Sequence, residues 1–297
     1  MDDSLMGKQV VVTGATSGIG LALAEALAQR GAAVIGVGRS SERCARAEEQ
    51  LIARHPESRI TFLVADVSVQ GEIRALAQRI RQMLRASGAE ALDGLVNNAG
   101  TFAYWQTYTP EGFDLQWAVN HLAPFLLTRE LLPLLEAAPA ARVVTVSSDS
   151  HYRARLPWDD IQLRRRYRPL QAYSQTKLAN ILFTVELNRR LGPGSTVRAF
   201  AADPGLVRTE IGFKANSRLA RWVWSLRRLQ SSPPETAAEG IFYLLSEPSL
   251  LSATDIYWKA SRPKAPDPYA LNPNAARRLW ELSERMCSGV PEEEWDE

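Results

Sequence analysis

The 297-residue sequence lacks the features that mark several specialised classes of protein. Its two cysteines, Cys44 and Cys287, lie far apart and fit no metal-ligand spacing, so no metal site is predicted. The net charge of +2 is too small to predict a nucleic-acid partner. No apolar run approaches the ~18 residues of a membrane-spanning helix, and the amino terminus is acidic rather than signal-like. A soluble, cytoplasmic protein is therefore expected.

The sequence does contain a regular alternation of short strand-like runs and longer amphipathic stretches. Runs rich in Val and Ile, such as "KQVVVTG" and "ARVVTVSS", are typical of strands buried on both faces of a parallel sheet. Seven such runs alternate with helical stretches, one of which covers residues 111–138, and predict a single α/β domain of the Rossmann-type, doubly wound class. The predicted core spans residues 7–258 and is followed by a carboxy-terminal extension over 259–297.

The first strand-like run ends in a glycine-rich turn, "TGATSGIG", that opens a predicted helix. Glycine lets the backbone approach a pyrophosphate closely, and the first N–H groups of a helix attract the phosphate charge. A tight turn that needs glycine for a positive φ angle is the alternative explanation. The turn predicts a dinucleotide site whose contacts are Gly14, Thr16, Ser17, Gly18, Ile19 and Gly20.

The ends of the second and third strand-like runs refine the cofactor prediction. Arg39 stands where a carboxylate would bind the ribose of NAD, and an arginine there accommodates the 2′-phosphate of NADP. A solvent-exposed arginine without a ligand is the alternative. Asp66, followed by Val67, closes the third run, where its carboxylate is expected to reach the adenine or else to cap the next helix. NADP(H) is the predicted cofactor.

Six motifs in a fixed order resemble the short-chain dehydrogenase/reductase family over most of residues 7–258. They are "TGATSGIG", "NNAG", "NHLAPFLLT", "VSS", "YSQTK" and "DPGLVRT". The long spacer between Ser148 and Tyr173 is most similar to the retinol-dehydrogenase-like branch, which tends to use NADP(H). The chain departs from that branch in its "ATSGIG" turn and at Pro124, which weakens an inference to retinol itself.

The resemblance implies a catalytic set of four side chains, suited to a reaction that needs a hydride and a proton. Tyr173 and Lys177, four positions apart on one helix face, would be the proton donor and the cation that lowers the pKa of its phenol. Ser148, with Ser147 as the alternative, would orient the substrate oxygen. Asn120 would hold a water that passes protons from Lys177 toward solvent.

The same resemblance implies further cofactor contacts at the ends of the later strands. Turn-forming residues at strand exits are the alternative explanation for both motifs concerned, "NNAG" and "DPGLVRT". Two of the contacts are shared with the catalytic set. The expected contacts are Asn98 and Gly100 near the adenine ribose, Pro204, Gly205 and Thr209 over the nicotinamide, and Tyr173 and Lys177.

The segment after the sixth strand-like run has more than one explanation. The resemblance implies that residues 206–232 form the mobile substrate lid that the family places there. Within them, "RLARWVWSLRRL" at 218–229 has Trp and Leu at helical spacing, which suits a lid, a contact with a membrane surface, or plain packing. No transmembrane segment is predicted. The resemblance allows a homo-oligomer, because many members of the family form dimers or tetramers.

The predicted function is hydride transfer between NADP(H) and a ketone, aldehyde or secondary alcohol on a fairly apolar small molecule. The apolar preference rests on Phe102, Tyr104, Trp105 and Trp158, in loops expected near the site. The alternative is a non-enzymatic NADP(H)-binding redox sensor, which predicts a damaged catalytic set, whereas the set is complete. A nucleotide-sugar epimerase or dehydratase is disfavoured by the short chain after the sixth strand. No G-x-S-x-G motif predicts a serine hydrolase, and His121 is expected to pack or to cap.

Overall fold

A sheet of mostly parallel strands forms the centre of the fold. The computed structural model describes residues 5–207 and 232–289. The strands are β1 Gln9–Thr13, β2 Ala33–Gly38, β3 Arg59–Val64, β4 Gly94–Asn97, β5 Ala141–Val146, β6 Val197–Asp203, β7 Tyr257–Lys259 and β8 Arg262–Pro263. Their order is β3-β2-β1-β4-β5-β6-β7-β8, and β8 alone among these described strands is antiparallel to its neighbour. The seven parallel strands confirm the predicted sheet, and β8 is a short addition.

The strand order reverses between β1 and β4. β1 pairs with β2 on one side and with β4 on the other, so the connections that follow β1 and β4 run in opposite directions across the sheet. In doubly wound sheets this reversal opens a crevice at the carboxyl ends of the strands, where ligands bind. The reversal places the glycine-rich turn after β1 beside the "NNAG" turn after β4.

Helices cover both faces of the sheet. They are α1 Gly18–Gln29, α2 Ser41–Arg54, α3 Gln70–Ala86, α4 Leu115–Trp117, α5 Ala123–Glu136, α6 Pro169–Leu191, α7 Pro234–Ser246 and α8 Pro273–Cys287. One buried apolar cluster unites α1, α2 and α7 with the sheet, and a second unites α3, α5, α6 and α8 with its other face. None of the helices in the described ranges is long and apolar enough to cross a bilayer. The architecture is the predicted doubly wound α/β domain.

The helix predicted over residues 111–138 is interrupted. It begins only at Leu115 and, after one turn, widens into a π-helical turn over Ala118–Leu122, in which an N–H donates to the carbonyl five residues earlier. Pro124 follows this turn and has no N–H to donate to the Asn120 carbonyl, and the N–H of Ala123 donates to the carbonyl of Ala118. Turns of this type are frequent at functional sites, and this one carries Asn120.

Trp117 anchors the π-helical turn to the last helix. Its side chain is fully buried, and its Nε1–H donates to the Sδ of Met286 on α8 at 3.4 Å. We expect Trp117→Ala to lower the free energy of unfolding by about 3–5 kcal/mol, because a cavity replaces the indole. Trp105, which is 78% exposed, provides the control, and Trp105→Ala should change that free energy by less than about 0.5 kcal/mol. Urea denaturation measures both, and equal midpoints would contradict the anchoring role.

Candidate active site

The two serines at the end of β5 have different surroundings. The Ser147 side chain is buried, and its hydroxyl donates to the Lys177 carbonyl at 2.8 Å. Ser148 begins the 3-10 turn Asp149–His151, and its Oγ accepts the N–H of Ser150 at 3.2 Å, which leaves its hydroxyl hydrogen available. Ser147 therefore joins β5 to α6, whereas the Ser148 side chain is partly exposed.

Tyr173 and Lys177 lie on one face of α6, as their spacing predicts. The Nζ of Lys177 is 5.4 Å from the centre of the Tyr173 ring. The ammonium is buried and donates to the carbonyl of Val146 at 3.0 Å, at the end of β5. Helix α6 therefore presents a phenol and an ammonium together, directly beside the strand end that carries Ser148.

The electrostatics of this pair differ from the expectation. Burial lowers the pKa of Lys177 to about 8. Burial also raises the pKa of the Tyr173 phenol to about 12, and the charge of Asp203 adds to the rise, although part of the tyrosine side chain is exposed. A low-dielectric environment disfavours the phenolate, and the ammonium is directed at a carbonyl rather than at the phenol. The phenol is therefore protonated at neutral pH, the form that can give a proton away.

Asn120 is held by the loop that follows β4. Its Oδ1 accepts the N–H of Thr101 at 2.7 Å, and its Nδ2 donates to the Thr101 carbonyl at 2.9 Å and to the Thr176 hydroxyl at 3.2 Å. A Cβ atom on Gly100 would stand 3.5 Å from Asn120 Oδ1 and 3.9 Å from Lys177 Nζ. The turn after β4 and helix α6 therefore meet at Gly100.

The glycine-rich turn is folded tightly. Gly14 and Gly18 have φ angles of +67° and +55°. A Cβ on Gly20 would lie 2.3 Å from the Gly14 carbonyl oxygen, so only glycine fits there. Ser17 precedes α1 without a side-chain hydrogen bond to the helix, so the first N–H groups, among them that of Ile19, are not capped by it. The turn has the backbone geometry that a pyrophosphate needs.

A residue that the sequence analysis did not single out connects this turn to "NNAG". The Thr13 hydroxyl oxygen accepts the N–H groups of Asn98 and Ala99, each at 3.0 Å, and donates to the Val96 carbonyl. Asn98 Nδ2 in turn donates to the Thr13 carbonyl at 2.8 Å. In the sequence, the only sign of this role is that Thr13 is the polar residue that ends the Val-rich run of β1. Asn98 therefore shapes the crevice by bonding the two strand ends.

The end of β2 reaches the same turn. A Cβ on Gly38 would lie 2.4 Å from Thr16 Cγ2, so Arg39, the next residue, lies beside the glycine-rich turn. Arg39 is exposed and has no hydrogen bond or ion pair with any residue in the described part of the chain. Asp66 Oδ1 accepts the N–H of Ser68 at 2.9 Å, and α3 begins only at Gln70, so Asp66 caps a turn rather than the helix. Val67, the next residue, packs against the core.

The end of β6 carries the last expected contacts. Pro204 and Gly205 follow the strand directly, and Gly205, with φ +74°, donates its N–H to Asp203 Oδ1 at 2.9 Å. Thr209 lies outside the described residues. So do the 218–229 stretch and most of the predicted lid.

Two of the four aromatic residues expected near the site, Phe102 and Tyr104, lie together beside Tyr173. The Phe102 ring is 5.7 Å from the Tyr173 ring and 5.0 Å from the Tyr104 ring, and Trp105 follows at the surface. Trp158 does not join them, because it packs against the core with Arg278 of α8 4.5 Å above its ring. The rim beside Tyr173 is therefore aromatic.

The buried histidine next to Asn120 has a structural role. The ring of His121 is fully buried and hydrogen-bonds to the Ser283 hydroxyl at 2.8 Å, and burial lowers its pKa to about 3. This confirms the expectation of a packed histidine. Across residues 5–207 and 232–289, no three His, Cys, Asp or Glu side chains are grouped so as to hold a metal ion.

The fold and the site define a class of protein. A doubly wound sheet has a glycine-rich turn at its switch point, and a Tyr–Lys helix meets the neighbouring strand ends. This is the arrangement of a Rossmann-type oxidoreductase that uses a nicotinamide cofactor.

The chain belongs to the short chain dehydrogenase family, whose model matches residues 8–220. Human retinol dehydrogenase 13 is 35% identical to it, with 95% of this chain and 85% of that protein covered. The crystal structure of an uncharacterized protein from Mycobacterium paratuberculosis is 31% identical, with a TM-score of 0.71 and coverage of 96% and 95%. The angucycline C-6 ketoreductase LanV with bound NADP is 28% identical, with a TM-score of 0.68 and coverage of 86% and 95%. The family, its retinol-dehydrogenase-like branch and NAD(P)-dependent oxidoreductase activity are thus as predicted.

The depressed pKa of Lys177 has a consequence for stability. Its folded value, about 8, lies below the ordinary 10.5, so folding disfavours the ammonium. The cost, about 3 kcal/mol, is fully present below pH 8 and disappears as the pH rises past the unfolded value. We therefore expect Lys177→Met to raise the free energy of unfolding by about 1–2 kcal/mol at pH 7, after the loss of one hydrogen bond. The gain should shrink toward pH 10.

Urea denaturation at pH 7 and pH 10 measures this change. Lys8 provides the control, because its side chain is partly exposed and pairs with Asp93 at 2.9 Å at the opposite end of the sheet. Lys8→Met should show no such gain. A Lys177→Met protein that is less stable than the wild type at pH 7 would contradict the cost assigned to the buried ammonium.

Proposed function

We propose that this protein is an NADP(H)-dependent oxidoreductase that transfers a hydride between nicotinamide and a carbonyl or alcohol carbon of a fairly apolar substrate, with Tyr173 as the acid and base. One observation carries the proposal. Lys177 Nζ lies 5.4 Å from the centre of the Tyr173 ring and donates to the carbonyl of Val146, two residues before Ser148, at the end of β5.

The residues at the crevice fit a dinucleotide. The tight turn from Gly14 to Gly20 and the start of α1, which has no side-chain cap, suit a pyrophosphate, and Gly100 lies beside Lys177. Arg39 is exposed beside that turn and unpaired within the described part of the chain, which supports a 2′-phosphate partner. Bound NADPH supplies the hydride. The solved ketoreductase relative with NADP adds support for the same cofactor.

The side chains of this chain supply binding, orientation and the proton. The Ser148 hydroxyl would donate to the substrate oxygen and set its position. Tyr173 would give its phenolic proton to the same oxygen as negative charge develops there. The Lys177 ammonium, 5.4 Å from the ring, would stabilise the phenolate that remains. Because reduction takes the phenolic proton, it requires the protonated form of Tyr173 that is present at neutral pH, whereas oxidation requires the phenolate and should be faster at higher pH.

The aromatic rim supports an apolar substrate. Phe102 contacts the Tyr173 ring edge to face, so a substrate that reaches Tyr173 also meets Phe102. Tyr104 and Trp105 extend the same surface outward. Two relatives are named as a retinol dehydrogenase and an angucycline C-6 ketoreductase, and these names support an alcohol or a ketone as the substrate.

Replacement of the proposed acid tests the function. With NADPH and a panel of ketones and aldehydes, we expect Tyr173→Phe to lower kcat about 10²–10⁴-fold, because the proton donor is lost. The affinity for NADPH, measured by fluorescence, should stay within about threefold, because no phosphate contact changes. Tyr243→Phe, a change on α7 where the ring packs on Trp258, is the control and should keep full turnover.

Three outcomes of the panel decide between the alternatives. Full turnover by Tyr173→Phe would refute the proposed mechanism. Tight NADPH binding without reduction of any carbonyl by the wild-type protein would favour a redox sensor. Faster turnover of small polar carbonyls than of long-chain or aromatic ones would refute the apolar preference.

Arg39 provides a separate test of the cofactor. We expect Arg39→Asp to weaken NADPH binding about 10–100-fold and to leave NADH binding equal or improved, because a charge-assisted pair with the 2′-phosphate is lost. Arg46→Asp makes the same change of charge at an exposed position on α2 and should alter neither affinity by more than about twofold. Fluorescence titrations give all four affinities. An unchanged preference in Arg39→Asp would remove Arg39 from the cofactor site.

A further inference from the structure

A group of charged side chains next to Ser148 has no role in the proposed reaction. Lys259 Nζ lies 2.8 Å from Asp149 Oδ2 and 3.0 Å from Asp203 Oδ2, and the second contact lacks hydrogen-bond alignment, so it acts through charge. Lys264 Nζ contacts Asp149 Oδ1 and lies 3.9 Å from Asp203 Oδ2. The Tyr257 hydroxyl donates to Asp149 at 3.0 Å. The Asp149 cluster, as we call it, consists of Asp149, Asp203, Tyr257, Lys259 and Lys264.

The Asp149 cluster joins two strand ends that belong to the site. Asp149 directly follows Ser148 at the end of β5. Asp203 ends β6, and its Oδ1 accepts the N–H of Gly205, in the segment expected to cover the nicotinamide. Lys259 and Lys264 come from β7 and the segment after β8, at the edge of the sheet. The two lysines therefore hold the turns after β5 and β6 against each other from outside.

A histidine fixes the backbone of the same turn. His151 Nδ1 is 2.7 Å from the carbonyl of Ser148, and its Nε2 is 3.1 Å from the N–H of Asp267. Because Nε2 accepts that N–H, Nδ1 carries the hydrogen, and the ring is neutral. Burial lowers the pKa of His151 and favours this neutral form. The Ser148 turn is therefore attached to the segment after β8 through its main chain as well as through Asp149.

The charges of the Asp149 cluster lie close to the proposed acid. Burial opposes ionisation of Asp149, but the hydrogen bonds from Lys259 and Lys264 outweigh it and hold its pKa well below the usual range. Among the described residues, the charged groups that act on the Tyr173 phenol are Lys177 from its own helix and Asp203 from β6. Asp203 in turn contacts the two lysines, which also pair with Asp149. Two ammoniums balance two carboxylates at this position.

We propose that Lys259 and Lys264 are positioning residues of the active site: they hold the Ser148 turn in place and neutralise the carboxylates near the proposed acid. This assignment rests on the proposed function and deepens it. Loss of one lysine would leave an uncompensated carboxylate near the phenol and make the phenolate harder to form. Loss of the Asp203 charge would have the opposite effect.

The two opposite shifts provide the test. In protein labelled with [ζ-¹³C]tyrosine, the Tyr173 resonance is assigned by its loss in Tyr173→Phe and followed up to the highest pH at which the fold persists. At the highest pH reached, the ionised fraction of Tyr173 should be lower in Lys259→Met and higher in Asp203→Asn than in the wild type, which corresponds to titration shifts of about 0.5–1 pH unit in opposite directions. Lys259→Arg, which keeps the charge, should leave that fraction unchanged, and so should the remote Lys8→Met.

Turnover provides a second measurement on the same proteins. With a carbonyl that the wild type reduces, kcat of Lys259→Met should fall about tenfold while the KM for NADPH changes little, because Ser148 is displaced and the phosphate contacts are not. Shifts of one sign in both variants, or none in either, would overturn the proposal. If no carbonyl is reduced at all, the proposed function fails, while the titration still decides whether the Asp149 cluster sets the charge state of Tyr173.

Discussion

Three buried hydrogen bonds between β5 and α6 determine the geometry of the whole site. The carbonyl of Val146 accepts Lys177 Nζ at 3.0 Å and Asn180 Nδ2 at 3.1 Å, and the Ser147 hydroxyl donates to the carbonyl of Lys177 at 2.8 Å. Such bonds are strong in a low-dielectric interior and costly to leave unmade. They fix the end of β5 against α6, and they involve neither the Tyr173 phenol nor the Ser148 hydroxyl. The two groups proposed to touch the substrate are therefore positioned by others.

This arrangement needs a buried ammonium, and its surroundings explain why the pair on α6 does not behave as its spacing suggests. A lysine one turn from a tyrosine is expected to lower the pKa of the phenol. In the folded chain the ammonium donates to a carbonyl instead. Burial raises the pKa of Tyr173 and lowers that of Lys177, so the neutral form of each group is stabilised relative to its charged form. Tyr173 is therefore protonated at neutral pH. An ammonium nearby then acts mainly after the proton has left, when it stabilises the phenolate.

Much of the architecture could be predicted from sequence because the signals are local. Uninterrupted Val-rich runs identify strands buried on both faces, and the order of the glycine-rich turn, Ser148 and the Tyr–Lys pair along the chain identifies the family. The π-helical turn at Asn120 could not be predicted, because its apolar periodicity is that of an ordinary helix and only Pro124 hints at the break. The choice between Ser147 and Ser148 depends on which hydroxyl meets α6, which is a tertiary contact.

Ion pairs between residues far apart in the chain are the contacts that sequence patterns predict least well. Asp149 and its lysine partners are separated by more than a hundred residues, and the separations of 110 and 115 positions leave no periodic signal. The same holds for α8, whose Met286 and Ser283 contact the π-helical turn through Trp117 and His121.

These contacts change the interpretation of the chain beyond residue 258. Taken from sequence, that part is an extension appended to a nucleotide-binding core. In the structure its first segment holds the Ser148 turn, and its helix holds the turn that carries Asn120. Both sides of the proposed catalytic set are therefore supported from the carboxy-terminal segment, at the edge of the sheet and beneath α5 and α6. Loss of this segment would therefore remove the contacts that hold the Ser148 turn and the turn that carries Asn120.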